Sequence, residues 1–241
     1  MPNSKSKYKI AYENFMLWKN SNNIDSFTED VFLTYFRELA VKYKPSTLWS
    51  MYSMLKSTVW TTNGVDIKSY FKLTDFLKIC SNGYEGTKIK ILSPSDVETF
   101  LSEAPDRQYL ATKVALIFGI AGGCKRVELQ NITTKDIEDD GERLLVSVKN
   151  IKNKYRTFPI HSPFYEIVKK YEALRSNKAK DPRFFQNYQK GKCTVQPIGV
   201  NKLGAMPKEV AKYLGLPDAE SYTGHSYRKT SATLRASTQY N

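Results

Sequence analysis

Cysteine and histidine are scarce in this sequence, and their scarcity excludes several kinds of site. The 241 residues include three cysteines and two histidines. The cysteines are far apart and odd in number, which predicts neither a disulfide framework nor a zinc site and favours a reducing compartment. No acid pair has the spacing of a metal or glycosidase site, and there is no P-loop or dinucleotide fingerprint. We therefore expect no metal ion and no small-molecule cofactor.

Long apolar runs are also lacking. No segment of the sequence approaches the length that spans a bilayer. Residues 1–7 carry charge, but no apolar core follows them, so we expect neither a secretory signal peptide nor a membrane partner. A hydrophobic content of 41% is typical of a globular protein with one large domain or two smaller ones.

Acidic residues are outnumbered by basic ones. The sequence has 24 Asp and Glu against 37 Lys and Arg, a net charge of +13 at pH 7. This balance favours a polyanionic partner such as nucleic acid. Lysines and arginines alternate with tyrosines in two places, at residues 5–9 and 152–156. The alternative interpretation is a solvated basic surface with no partner.

Apolar periodicity predicts a helical first domain over residues 1–86. Four amphipathic segments are expected, the first around Phe15 and the others at residues 29–39, 45–63 and 69–80. Residues 81–88 lack this periodicity and contain two glycines, which predicts a linker. The four helices would form a small bundle.

The second domain, residues 87–241, is predicted to be mainly α with a small antiparallel sheet. Ser93 and Pro94 mark a helix start, and residues 109–119 form an apolar, buried helix. Strands are expected at 142–148 and 156–160 around a lysine-rich turn. Further helices are expected at 162–175, at 209–214 and from residue 224 onward, and the acidic residues 136–140 are predicted to form a solvated turn.

The most informative motif places a histidine and an arginine three residues apart at the start of the last helix. On a helix this spacing puts His225 and Arg228 on one face. An imidazole transfers protons near neutral pH, and a guanidinium grips two oxygens of one phosphate. The pair suits a site that holds a phosphodiester. The alternative is an incidental pair at a helix N-terminus.

Four stretches of the second domain, taken in order, resemble the catalytic domain of tyrosine recombinases, the phage integrase family. They are residues 92–97, 122–129, 152–160 and 223–228. The amino-acid sequence around the last stretch most resembles that of Crypton-type recombinases of eukaryotic transposons. The resemblance implies a helical core-binding (SAM-like) domain at 1–86, followed by a tyrosine-recombinase (DNA breaking-rejoining) catalytic domain at 87–241.

The resemblance also implies roles for particular residues. In the family a tyrosine attacks a DNA phosphodiester, and basic side chains stabilise the developing charge without a metal. Arg228 would clamp the phosphate, His225 would donate a hydrogen bond or move a proton, and Lys152 would protonate the leaving 5′-oxygen. Lys149 and Lys154 are close in sequence to Lys152, so which lysine takes this role stays open. The alternative interpretation of the hairpin is a plain basic turn without a catalytic role. Further DNA-binding residues are Lys149, Lys154, Arg156 and Lys229.

Two positions depart from the family pattern. The arginine three residues before Glu128 is replaced by Lys125, and Arg126 follows it. One helical step turns a side chain by about 100°, so the sequence leaves open which of the two reaches phosphate. The family's nucleophilic tyrosine follows the H-x-x-R motif at a greater distance than Tyr240 does. The nucleophile is therefore unknown, and we interpret the sequence as a truncated recombinase or a domesticated remnant.

Three functions follow from these patterns. The first is a DNA-binding protein on a recombinase scaffold, with double-stranded DNA as partner and a homo-oligomer on DNA as the expected assembly. The second is an active recombinase subunit whose nucleophile lies in a longer chain. The third is an interaction protein that pairs with recombinases or chromatin factors. Basic charge and the resemblance together favour a nuclear location.

Overall fold

The computed structural model describes residues 4–86, 88–149 and 154–238, with side chains from residue 6 to residue 235 in these ranges. The chain forms two compact units, Met1–Gly86 and Thr87–Asn241. Each unit has its own cluster of buried apolar side chains. In the parts of the chain that the structure describes, no helix is long and apolar enough to cross a membrane.

The first unit is a small helical bundle. Its described residues form α1 (Ser4–Ser21), α2 (Glu29–Lys42), α3 (Pro45–Asn63) and α4 (Phe71–Ser81). Proline at the first position favours the start of α3, and Gly64, at φ 68°, ends it in the left-handed conformation. The core is aromatic: Phe15, Phe32 and Phe36 are fully buried, and the rings of Phe15 and Phe32 stack with centroids 4.5 Å apart.

A buried helix lies at the centre of the second unit. The helices here are α5 (Pro94–Glu103), α6 (Asp106–Gly122), α7 (Arg126–Asn131), α8 (Phe164–Ala173), α9 (Val200–Tyr213) and α10 (Ser226–Thr238). Residues 110–120 of α6 are all buried, as expected of a stretch that is apolar except at Thr112 and Lys113. Helices α8, α9 and α10 pack against α6, as does one strand of the larger sheet.

Two antiparallel sheets complete the second unit within the described residues. The larger has the order β1 (Ile137–Asp139), β2 (Arg143–Lys149) and β3 (Tyr155–His161), and the smaller pairs β4 (Gln186–Gln189) with β5 (Lys192–Pro197). In β2, Leu144, Val146 and Val148 are buried and alternate with more exposed residues. Strands β2 and β3 were predicted from the branched apolar residues at 142–148 and from an antiparallel partner at 156–160, and the mainly helical fold with a small antiparallel sheet is confirmed.

Some elements differ from the sequence predictions. The predicted acidic turn at 136–140 contributes three residues to β1, and the smaller sheet was not predicted because strand β4 is polar. Helix α9 begins at Val200, nine residues before its predicted start. Its buried positions Leu203, Met206 and Val210 keep the helical spacing across Pro207.

Candidate functional site

Two segments that are distant in the sequence meet at one groove of the second unit. This groove has a volume of about 770 Å³, and we call it the cationic groove. Its lining includes four of the five predicted catalytic residues: Lys125, Arg126, His225 and Arg228. The fifth, Lys152, lies outside the described residues, as does Tyr240.

One side of the cationic groove is the segment 223–231, here called the helix wall. Ser226, at the start of α10, is fully buried, and its Oγ accepts a hydrogen bond from the Thr223 amide at 2.9 Å. Further along α10, Thr230 Oγ1 accepts from the Leu92 amide at 3.0 Å. Because this face is buried, Arg228 is left on the exposed face of α10.

Close packing against α6 fixes the helix wall further. A Cβ added at Gly119 would lie 2.6 Å from Cδ2 of the Tyr227 ring, so only glycine lets α10 approach this closely. The Tyr227 hydroxyl is buried and has no hydrogen-bond partner among the residues described. Burial raises the pKa of this phenol well above its usual value. Tyr227 is therefore a packing residue and is not placed to attack DNA.

A second part of the lining belongs to the segment 122–129, here called the loop wall. Helix α6 ends at Gly122, and Gly123 follows at φ 57° in the left-handed conformation. Lys125 is extended, at φ −79° and ψ 151°, and Arg126 is the first residue of α7. The expected helical rotation between these two side chains does not apply, because Lys125 is not helical. Both side chains line the cationic groove.

The loop wall is held by a buried carboxylate that the sequence analysis did not single out. Glu128 Oε2 accepts a hydrogen bond from the Lys125 amide at 2.8 Å and one from Arg156 Nη2 at 2.8 Å. The same guanidinium donates from Nη2 to the Gly122 carbonyl at 3.1 Å. Glu128 and Arg156 thus tie both ends of the loop together. The available signal was a glutamate three residues after Lys125, the spacing of a capping box.

The ionised form of Glu128 is favoured by its hydrogen bonds. Burial alone would raise the pKa of this carboxyl, but the hydrogen bonds from Arg156 and from the Lys125 amide outweigh burial and lower the pKa below its usual value. The same pairing raises the pKa of Arg156. The loop that carries Lys125 and Arg126 is therefore positioned by an ion pair.

The predicted DNA-binding residues are not among those that line the cationic groove. Arg156 is half-buried and directed at Glu128, whereas Lys149, Lys154 and Lys229 are exposed. The Lys149 ammonium lies 5.4 Å from the centroid of the Tyr155 ring, its cross-strand neighbour. Contact of these four residues with DNA remains a prediction.

Helix α9 contributes lining residues that the sequence analysis missed. Lys208 lines the cationic groove and pairs with the carboxylate of Glu220. A Cβ at Gly204 would lie 3.1 Å from Cδ of Arg126, so the Arg126 side chain lies close to α9. These positions fall before residue 209, where the predicted helix began.

Metal ligands do not cluster in the part of the chain that the structure describes. No group of three or more His, Cys, Asp or Glu there could hold a metal ion. The groups in the groove lining that suit an anion are a histidine and four lysines or arginines. The expectation of no metal and no cofactor remains a prediction.

Comparison with known proteins gives matches in structure only. No protein-family model matches the sequence, and no curated protein matches it. Among solved structures, the chain is similar to the Tn1549 transposon integrase in complex with transposon right end DNA. The TM-score is 0.66 and the identity 20%, covering 100% of this chain and 83% of the integrase.

Two other similar structures are DNA complexes of recombinases. The XerH site-specific recombinase in its post-cleavage complex has a TM-score of 0.62 at 18% identity, over 90% of this chain and 63% of XerH. A lambda integrase tetramer bound to a Holliday junction has a TM-score of 0.62 at 12% identity, over 98% of this chain and 66% of the integrase.

The extent of these matches sets what they establish. In the XerH pre-cleavage complex the chain covers 60% of the recombinase, so it spans less than two thirds of the XerH chains it matches. At sequence identities of 20% or less, these structural matches establish the fold alone. The chain accordingly has a mainly helical fold with small antiparallel sheets that matches the tyrosine-recombinase catalytic domain of the integrase family.

Proposed function

We propose that this protein binds double-stranded DNA on a recombinase scaffold and serves DNA recombination or integration. One observation carries the proposal: His225 and Arg228 of the helix wall and Lys125 and Arg126 of the loop wall line one groove. The fold is one for which solved DNA complexes exist. Affinity would come mainly from the phosphate backbone.

Charge supports the second unit as the main DNA-binding part. Residues 87–241 contain 26 Lys and Arg against 16 Asp and Glu, a net of +10, whereas residues 1–86 have 11 against 8, a net of +3. Each phosphate neutralised by a lysine or arginine releases counterions, so binding should weaken steeply as salt rises. A solvated basic surface without a partner would show no such slope.

Each groove residue has a role that fits its chemistry. The planar guanidinium of Arg228 suits bidentate binding of two phosphate oxygens, and Arg126 offers the same geometry from the loop wall. Lys125 supplies a point charge, and His225 supplies a hydrogen-bond donor. The groove would hold one phosphate among the many that the protein contacts.

Phosphodiester cleavage is the second candidate function. It is favoured because the groove residues would also stabilise charge that builds on the non-bridging oxygens when a hydroxyl attacks. Lys152 remains the predicted proton donor to the leaving 5′-oxygen, and the nucleophile remains unknown.

A Crypton-type transposon origin, a nuclear location and a homo-oligomer on DNA are further parts of the proposed function.

A gel-shift titration over a range of salt concentrations tests DNA binding. The probes are duplexes selected from a random pool, and the variants are Arg228→Ala and, as a control of equal charge change outside the groove lining, Lys192→Ala. Loss of one phosphate contact should weaken binding by roughly tenfold or less and lower the salt slope by about 0.9. Lys192→Ala should change both quantities less. Abolished binding by a folded Arg228→Ala protein would contradict a broad backbone interface.

A nicked suicide substrate separates binding from cleavage. A covalent protein–DNA adduct would show that a tyrosine of this chain attacks DNA, and it would establish the second candidate. A shift without an adduct would support DNA binding alone. Retained pairing with a protein partner, together with negligible DNA affinity at low salt, would contradict both functions and favour an interaction protein.

A further inference from the structure

We propose that Lys208 is an additional phosphate-binding residue of the cationic groove and that Glu220 covers it in the free protein. DNA phosphate and the Glu220 carboxylate would then compete for one ammonium group. This inference rests on the proposed DNA binding and adds to it a contact that is regulated by displacement of a side chain.

The positions of the two residues carry the inference. Both line the cationic groove together with Arg126 and Arg228. Lys208 lies one helical turn after Gly204, the α9 residue beside the Arg126 side chain, so both positions are on the same face of α9. Among the described lining residues, Glu220 alone is acidic.

The backbone around Glu220 is held in place, so the pairing is a built feature of the groove. Glu220 lies in a short 3₁₀ turn, Ala219–Ser221. Lys90 fixes this turn from outside: its ammonium donates to the Pro217 carbonyl at 3.1 Å and to Asp218 Oδ2 at 2.7 Å. The Lys90 amide also donates to the Ser221 carbonyl at 3.4 Å. The Glu220 carboxylate is consequently presented to α9.

The ion pair between Lys208 and Glu220 is weak enough for a DNA phosphate to displace the carboxylate. The Glu220 side chain is 72% exposed and that of Lys208 34% exposed, and ion pairs this open to solvent contribute little to stability. A DNA phosphate brings a full negative charge and releases counterions when it is neutralised. Phosphate can therefore replace the carboxylate on Lys208 at small cost to the fold.

A double-mutant cycle on DNA affinity tests the competition. Glu220→Gln keeps the side-chain shape and removes the charge, so it should tighten binding by roughly threefold. Lys208→Gln should weaken binding and lower the salt slope by about 0.9. In the wild type, part of the affinity gained from the Lys208–phosphate contact is lost in breaking the pair with Glu220. Lys208→Gln should therefore weaken binding more in the Glu220→Gln background than in the wild type.

The opposite coupling would overturn the inference. If Lys208 only neutralised Glu220, Lys208→Gln would expose that carboxylate in the wild type and would weaken binding less once Glu220 is Gln. Lys212 provides the matched control, because it approaches the same carboxylate at 3.9 Å but does not line the groove. Lys212→Gln should leave the salt slope unchanged, and an equal drop in slope for Lys212→Gln and Lys208→Gln would also overturn the inference.

Arg228→Ala separates this inference from the proposed function. If Arg228→Ala weakens binding while Glu220→Gln leaves it unchanged, only the role of Lys208 and Glu220 is refuted. If the wild type shows no salt-dependent DNA binding, the proposed function itself fails. Thermal unfolding of each variant should match the wild type, since exposed pairs are removed. A parallel loss of stability and affinity in both single variants would instead indicate a structural pair.

Discussion

The two walls of the cationic groove are held in place by different physical means. The loop wall depends on charge: the buried Glu128 carboxylate binds the Lys125 amide and the Arg156 guanidinium. The helix wall depends on neutral groups, namely the hydroxyls of Ser226 and Thr230 and the packing of the Tyr227 ring. One groove is thus built by two kinds of support that respond differently to mutation and to pH.

The difference follows from the local backbone. A helix satisfies most of its own amides and carbonyls, so α10 needs only buried contacts to fix its position. The loop at residues 122–125 joins two helices and has no such ladder, so its carbonyl and amide groups need partners from elsewhere. Arg156, from strand β3, supplies one partner and Glu128 supplies the other.

Glu128→Ala should produce the largest loss of stability. It leaves the half-buried Arg156 guanidinium without its carboxylate and the Lys125 amide without its acceptor. A fully buried broken pair costs about 3–5 kcal/mol, and partial solvent access to Arg156 reduces this to about 2–3 kcal/mol. The measurement is urea unfolding followed by far-UV circular dichroism. An exposed glutamate on strand β1, Glu138, gives the control variant Glu138→Ala.

The tryptophans provide an internal control for such experiments. All three, Trp18, Trp49 and Trp60, belong to the first unit. Tryptophan fluorescence therefore reports that unit, whereas circular dichroism reports both. Glu128→Ala should shift the dichroism transition, and the fluorescence transition shows separately how the first unit responds. No shift in either signal would show that the ion pair does not support the loop wall.

Gly119→Ala should destabilise the helix wall by a smaller amount. The new methyl group would overlap the Tyr227 ring, and overpacking of a core typically costs about 1–3 kcal/mol, from which the better helix propensity of alanine subtracts up to about 1 kcal/mol. We expect a net loss of about 1–2 kcal/mol in the same unfolding experiment. Gly86→Ala is the control, since its added methyl group meets only ordinary contact at 4.0 Å.

The helix wall was more predictable from the sequence than the loop wall. One short motif contains both His225 and Arg228, and both line the groove, although His225 precedes Ser226, the first residue of α10, so helical spacing alone does not place it. The pairing of Arg156 with Glu128 joins residues 28 positions apart on different elements. No local pattern records such a contact, and the sequence analysis gave Arg156 only as a DNA-binding residue, which remains a prediction.

Other parts were missed because tertiary packing decides them. Strand β1 has three residues and β4 has four, too few for a periodic signal. The early start of α9 depends on its packing against α6 and α7, and Pro207 within the helix obscures its continuity. Lys208 and Glu220 therefore gave no sign that they share a groove with the H-x-x-R motif.

The smallest expected effect is a difference between the two walls in how their contribution to stability changes with pH. The folded pKa of Glu128 is lowered, so the unfolded chain takes up the proton first as pH falls. This contribution to stability is complete above the unfolded pKa of about 4.3 and is lost as pH falls through the folded pKa. Glu128→Gln, which keeps the volume of the side chain, should therefore lose less stability than the wild type between pH 6 and pH 3.

Thr230→Val removes a support of the helix wall that does not titrate, so its loss of about 1 kcal/mol should be the same at both pH values. Unfolding followed by circular dichroism at the two pH values measures both differences, and equal pH dependence in the wild type and Glu128→Gln would mean that charge does not distinguish the walls.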